Sequence, residues 1–152
     1  APPPAAIQRA NFAFRQKLPG LLMTQPTGSC PFCDPPRERI LFEGVRALSL
    51  WDAYPLNPGH VLVILRRHVG SWFDATIAER DEMLQIVDDA RRLVAKQHAP
   101  DGFNLGINDG PAAGQTVAHL HLHLIPRYHG DVADPRGGVR WVIPDRAAYW
   151  GK

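Results

Sequence analysis

Apolar and polar positions along this chain sort into a set of short apolar runs and one long run of helical period. Ile40-Leu41-Phe42-Glu43 and Val45-Arg46-Ala47-Leu48-Ser49-Leu50-Trp51 predict two strands turned at Gly44. Gly59 to Leu65 is a strongly apolar strand ending in Arg66-Arg67-His68. Thr76-Ile77-Ala78-Glu79 has the capping-box form Thr-x-x-Glu and opens the long helix. In that helix Met83, Leu84, Val87, Ala90 and Val94 form one apolar stripe, and Pro100-Asp101-Gly102 ends it. Phe103 to Ile107 is a further strand. From His119 to Leu124 the alternation is unbroken, with His119, His121 and His123 on one parity and Leu120, Leu122 and Leu124 on the other. An extended strand would put three imidazoles on one face and three leucines on the other, whereas a helix would scatter them. Val139 to Ile143 predicts a short final strand, and residues 7–18 a short helix stopped by Pro19-Gly20. This order suits an α+β domain, an antiparallel sheet with few helices.

The leucine parity of the His strand has a structural job, burial against the core. The histidine parity does not, because stacked imidazoles add little packing and each needs hydrogen-bond partners when buried. Upstream, Asn108-Asp109-Gly110-Pro111-Ala112-Ala113-Gly114 followed by Gln115 and Thr116 is a Gly-rich turn segment. Such a loop can turn backbone N–H groups towards an anion, and joined to a row of imidazoles it points to phosphate chemistry. A catalytic metal held by His119, His121 and His123 is the rival reading of the same residues.

Composition narrows the classes. At 152 residues and 45% hydrophobic, the chain suits one domain with a real core. A net charge of +2 with no run of five Lys or Arg argues against binding a nucleic-acid polymer. No apolar run approaches the ~20 residues of a membrane span. The stretch Ala1 to Ala6, rich in proline, lacks the charged and apolar regions of a signal peptide, so a cytoplasmic location is expected.

Cys30-Pro31-Phe32-Cys33 permits three readings: a redox pair, an incidental free pair, or half of a structural zinc site. Pro31 between the cysteines and Pro35-Pro36 after them disfavour the helix entry that a redox pair uses. For zinc, the spacing leaves seven histidines as candidates for the remaining ligands.

Gly114-Gln115-Thr116-Val117-Ala118-His119-Leu120-His121-Leu122-His123, with Asn108-Asp109-Gly110-Pro111 before it and Ile125-Pro126-Arg127 after it, resembles the signature of the histidine-triad superfamily. The resemblance covers roughly residues 30 to 127. It implies a histidine-triad fold, a five-stranded antiparallel sheet with one long helix, in a homodimer. It also implies a nucleotide hydrolase that cleaves at an α-phosphate and releases a nucleoside monophosphate. His121 would be the nucleophile that becomes nucleotidylated, with no organic cofactor. Gln115, Thr116 and His123 match phosphate-contacting positions, with His60 and Asn108 nearby, and Asp52 matches a position that binds ribose hydroxyls. Several bacterial members bind zinc through positions matching Cys30, Cys33, His68 and His119.

The motif leans towards the branch that hydrolyses dinucleoside polyphosphates such as diadenosine tetraphosphate. The Cys-x-x-Cys is a feature of phosphoramidase-like and general bacterial members, so a purine nucleoside phosphoramidase is the alternative. A zinc-stabilised nucleotide-binding module with little catalysis is a further one. On this reading residues 1–29 are an N-terminal extension, 30–130 the histidine-triad domain and 131–152 a tail packed on it. The tail departs from the best-known members, and Arg136 is open to two roles, neutralising polyphosphate or serving as a solvated turn residue.

Overall fold

Short β-branched and leucine-rich segments gain most when each pairs with a neighbour and buries one side, and here they do so in one sheet. The computed structural model describes residues 30–150. Its strands are β1 (Ile40–Glu43), β2 (Ala47–Trp51), β3 (Val61–Leu65), β4 (Gly102–Ile107) and β5 (His121–Arg127). They lie in the order β1-β2-β3-β5-β4, every neighbouring pair antiparallel. The strand latest in sequence is therefore inserted between β3 and β4. The sheet and its one long helix, α1 (Ile77–His98), match the expected α+β class.

Helix α1 covers one face. Met83, Val87, Ala90 and Val94 are buried there with Leu120, Leu122 and Leu124. Leu84, expected in the stripe, is 48% exposed, and Ile86 takes its place. With about 100° per residue, position 84 falls a quarter turn away from the line through 83, 87, 90 and 94. On the opposite face Ile40, Leu48, Leu50, Leu62 and Ile64 form a second buried cluster, with Phe32 packed on it.

The helix starts as the sequence predicts. Glu79 N donates to Thr76 Oγ1 at 3.2 Å, and Thr76 N donates to Glu79 Oε2 at 2.8 Å. Arg67 clasps the same carboxylate through Nε and Nη2 at 2.8 and 2.9 Å. The helix end is set by Ala99 in the left-handed region, φ 46°, whose N–H donates to Ala95 O. Near that end the chain passes close to Gly59, φ +90°. A Cβ on Gly59 would come within 2.9 Å of Val94 Cγ1, so only glycine admits this approach just before His60.

Two other expectations are corrected or fall outside view. Val139 to Ile143 is not a strand but part of a 3-10 turn, Gly138–Val142, followed by the short helix α2 (Pro144–Ala147). Gly137 and Gly138, φ 90° and 50°, wind the chain there. Arg140 holds the coil by donating to the carbonyls of Arg146 and Ala147. The helix expected at residues 7–18 lies outside the described residues. Among the described residues no helix is long and apolar enough to cross a membrane.

The Glu79 cluster sets a stability prediction. Hydrogen bonds from Arg67, then from Thr76, hold the Glu79 carboxyl down at about 2, against its ordinary 4.5. A depressed carboxyl contributes fully above its unfolded value and loses that contribution as pH falls towards its folded value. Glu79→Gln should lower unfolding free energy at neutral pH by about 1–3 kcal/mol. Its stability should also fall less steeply between pH 4.5 and about 2 in urea titrations than that of the parent.

Candidate active site

Strand alternation places His121 and His123 on the face turned away from α1, while Leu122 and Leu124 enter the helix-side core. The strand begins two residues later than the parity suggests. His119 and Leu120 precede β5, and Leu120 N donates to Val69 O beyond the end of β3 at 2.6 Å. His119 nevertheless keeps its parity and is fully buried.

Carbonyl partners fix where each ring carries its proton, since a carbonyl only accepts. His119 Nε2–H donates to Leu65 O at 2.7 Å, which leaves its lone pair on Nδ1. His121 Nδ1–H donates to the His119 carbonyl at 2.7 Å, which leaves the lone pair of the neutral ring on Nε2. Leu56 N–H donates to His60 Nδ1 at 3.2 Å, so the His60 proton sits on Nε2. That nitrogen lies 3.0 Å from His123 Nδ1, which must accept, so His123 carries its own proton on Nε2. The strand thus offers one bare nitrogen at His121 and one N–H at His123.

Asp52 Oδ2 stands 3.5 Å from His60 Nε2 and 3.9 Å from His123 Nδ1, while its Oδ1 accepts from Tyr54 N at 2.8 Å. These three residues are close enough to surround a cation. The amide of Leu56 argues against one. A metal on His60 Nε2 would put the ring proton on Nδ1, directly facing another N–H. Burial lowers the His60 pKa, opposed by Asp52. Burial, then the neighbouring rings of His121 and His60, bring His123 down to about 4.

Cys30, Cys33, His68 and His119 converge at the entrance to β5. Cys30 Sγ is 3.5 Å and Cys33 Sγ 3.7 Å from His119 Nδ1, and Cys33 Sγ is 3.2 Å from His68 Nδ1. A tetrahedral ion bound by thiolate sulfur and imidazole nitrogen separates those atoms by roughly 3.5 Å. The donor set fits zinc, because His119 Nδ1 is the nitrogen left bare by the bond to Leu65. Burial, then the adjoining Cys30 thiol, pushes the Cys33 thiol up, a cost that a cation between the sulfurs would remove.

The Gly-rich loop is tied down at three points. Gly110 N donates to Gln115 Oε1 at 2.8 Å, and Gln115 Nε2 donates to Gly70 O at 2.8 Å. Ser71 Oγ and Trp72 N both donate to Asp109 Oδ2. One N–H of the Gln115 amide remains for a ligand, Thr116 is exposed and Asn108 is half-buried. Gly110 and Gly114, φ +87° and +89°, allow the loop its turns.

Two residues escaped the sequence reasoning. Phe32 lies 5.1 Å from the ring of His121 and 5.9 Å from that of His119, centroid to centroid, and anchors the cysteine loop over the His strand. A large apolar residue inside a Pro-rich Cys-x-x-Cys was its only sequence signal. Asp109 stands in the Asn-Asp-Gly-Pro motif, but nothing there signals its bonds to Ser71 and Trp72, because Asp in a turn ordinarily bonds its own backbone. Arg136, left with two roles above, donates to Asp134 through Nε and Nη2 and lies 4.5 Å over the Trp150 ring. Its charge is already matched.

A model of the HIT domain matches residues 36–130. An AP-4-A phosphorylase of Mycobacterium tuberculosis is 34% identical over 108 residues, 70% of this chain and 55% of its own length. A bis(5'-adenosyl)-triphosphatase of Saccharomyces cerevisiae is 37% identical over 115 residues, 74% of this chain and 52% of its own. The chain thus spans about half the length of the curated relatives it matches. A Zn-bound histidine triad family protein of Mycobacterium smegmatis has a similar structure, with TM-score 0.62 and 35% identity. That likeness covers 70% of this chain and 80% of the other.

The His60–His123 pair predicts a pH response. His123 is held at about 4 when folded against 6.5 ordinarily, so between those values the unfolded chain binds more protons. Stability is therefore complete above 6.5 and declines as pH falls towards 4. His123→Asn should flatten that decline in urea unfolding followed across the same range.

Proposed function

Because the chain belongs to the HIT family, we propose that it cleaves dinucleoside polyphosphates at an α-phosphate through a nucleotidyl-histidine intermediate. The observation that carries this reading is the bond from His121 Nδ1 to the His119 carbonyl, which leaves Nε2 as an unprotonated nucleophile. Nε2 attacks the α-phosphorus, the bond to the bridging oxygen breaks, and the leaving nucleotide departs with its electron pair. Water then attacks the same phosphorus, gives up a proton to solvent, and releases a nucleoside monophosphate with the imidazole restored.

The other residues serve charge and position. His123 Nε2–H, kept in place by the His60 relay, and the free N–H of Gln115 are donors for phosphate oxygens whose charge grows in the transition state. Thr116 and Asn108 take the neighbouring phosphate positions, and Asp52 the ribose hydroxyls. Support for the substrate class comes from the relatives named AP-4-A phosphorylase and bis(5'-adenosyl)-triphosphatase. The 30–130 segment acts as the domain unit, working as a homodimer in the cytoplasm.

Cys30, Cys33, His68 and His119 hold a structural Zn2+ in this reading. A bound ion would staple residues 30–33, which have little apolar surface besides Phe32, to the start of β5. Support comes from the donor spacing and from the Zn-bound relative of similar structure.

Two experiments test these assignments. His121→Ala should reduce turnover of diadenosine tetraphosphate by at least about 10³-fold while leaving its dissociation constant within roughly threefold. Surviving activity would remove His121 from the nucleophile's role, and a parent enzyme that prefers an adenosine phosphoramidate would shift the substrate class. Purified protein should contain about one zinc per chain, and a chelator should lower its Tm. Absence of metal together with an unchanged Tm after chelation would end the zinc assignment.

A further inference from the structure

Beyond His123 the active-site face continues into a groove of about 750 Å³, lying between β4, β5 and the segment 131–141. Its size is that of a pocket for a small organic ligand. The continuity follows from strand geometry. Ile125 and Arg127 share the parity of His121 and His123, each step of two residues advancing about 7 Å. Gly106 and Asn104 of β4 pair with His123 and Ile125 and so share that face. All four of the non-histidine positions line the groove.

Gly106 stands at the junction. It has no positive φ that would demand glycine, and a Cβ built on it meets nothing within 4 Å. Its missing side chain keeps the space above it clear where it sits opposite His123 and at the rim of the groove.

The walls select against charge. Arg127 is neutralised by Asp131 at 2.7 and 2.8 Å and bonded to Asn104 Oδ1 at 2.7 Å. Asp134 is paired with Arg136. A phosphate would have to displace Asp131 from a bidentate pair. Flat apolar surface is available instead from Trp141, whose indole is 45% exposed and is oriented by donation from Nε1 to Arg136 O at 2.7 Å. With its oxygen taken by Arg127, Asn104 keeps its amide N–H groups as donors, which suits the ring nitrogens of a base.

We infer that this groove holds the nucleoside of the leaving nucleotide, with its base against Trp141 and its phosphate chain running past Gly106 to His123. The assignment rests on the dinucleotide reading given above. It extends that reading by giving the second half of the substrate its own neutral, aromatic subsite.

The test compares diadenosine tetraphosphate with adenosine 5′-tetraphosphate, which offers the same α-phosphate and phosphate chain but no second nucleoside. Dissociation constants are measured by calorimetry on the His121→Ala protein, where no turnover interferes. Adding Trp141→Ala should weaken the dinucleotide by about tenfold and leave the tetraphosphate unchanged, the size expected for losing one stacked base. Trp141→Phe, which keeps a ring, should retain most of the affinity. Equal weakening of both ligands by Trp141→Ala, or no change for the dinucleotide, would overturn the subsite. Turnover by the parent protein reports separately on the catalytic reading. If the parent fails to cleave while the selective losses appear, the groove assignment stands and the hydrolase assignment falls.

Discussion

The hydrogen bond from the His119 ring to the Leu65 carbonyl decides the rest of the site. It fixes the ring's proton on Nε2 and so turns the bare Nδ1 towards the two cysteines. The backbone of the same residue supplies the carbonyl that holds His121. One residue therefore joins the cysteine cluster to His121, and the join is rigid because the ring is buried and its acceptor belongs to the end of β3. Displacing that ring would disturb the cysteine–histidine cluster and the His121 tautomer together.

Most of the frame could be read from the letters, because it rests on local rules. The capping box at Thr76 and the leucine and histidine parities of β5 are statements about neighbours a few residues apart. What could not be read depends on contacts between distant segments. The tautomers of His60 and His123 require Leu56, and the anchoring of the Gly-rich loop requires Ser71 and Gly70 to meet Asp109 and Gln115. Alternation misled at Val139 to Ile143, where two glycines in the left-handed region outweigh a strand-like pattern. Leu84 misled for a different reason, an apolar residue placed a quarter turn from the buried stripe.

The two sheet faces divide the work. On the helix side Leu122 and Leu124 are sealed under α1, which fixes the register of β5. A slip of one residue would drive imidazoles into that core, so burial of the leucines enforces the placement of the histidines. The opposite face is free to carry chemistry because it bears none of that burden along β5.

The position of β5 has a consequence for how the molecule comes into being. Val61 pairs with Leu124 and Ile64 with His121, so the central contacts of the sheet join residues far apart in sequence. Such long-range pairing slows folding, because the chain between must be ordered first. While the chain is being made, β3 and β4 wait for a partner that emerges after both. The histidines acquire their protonation pattern only when that last strand slots in, because the carbonyls and rings that fix it lie on other segments.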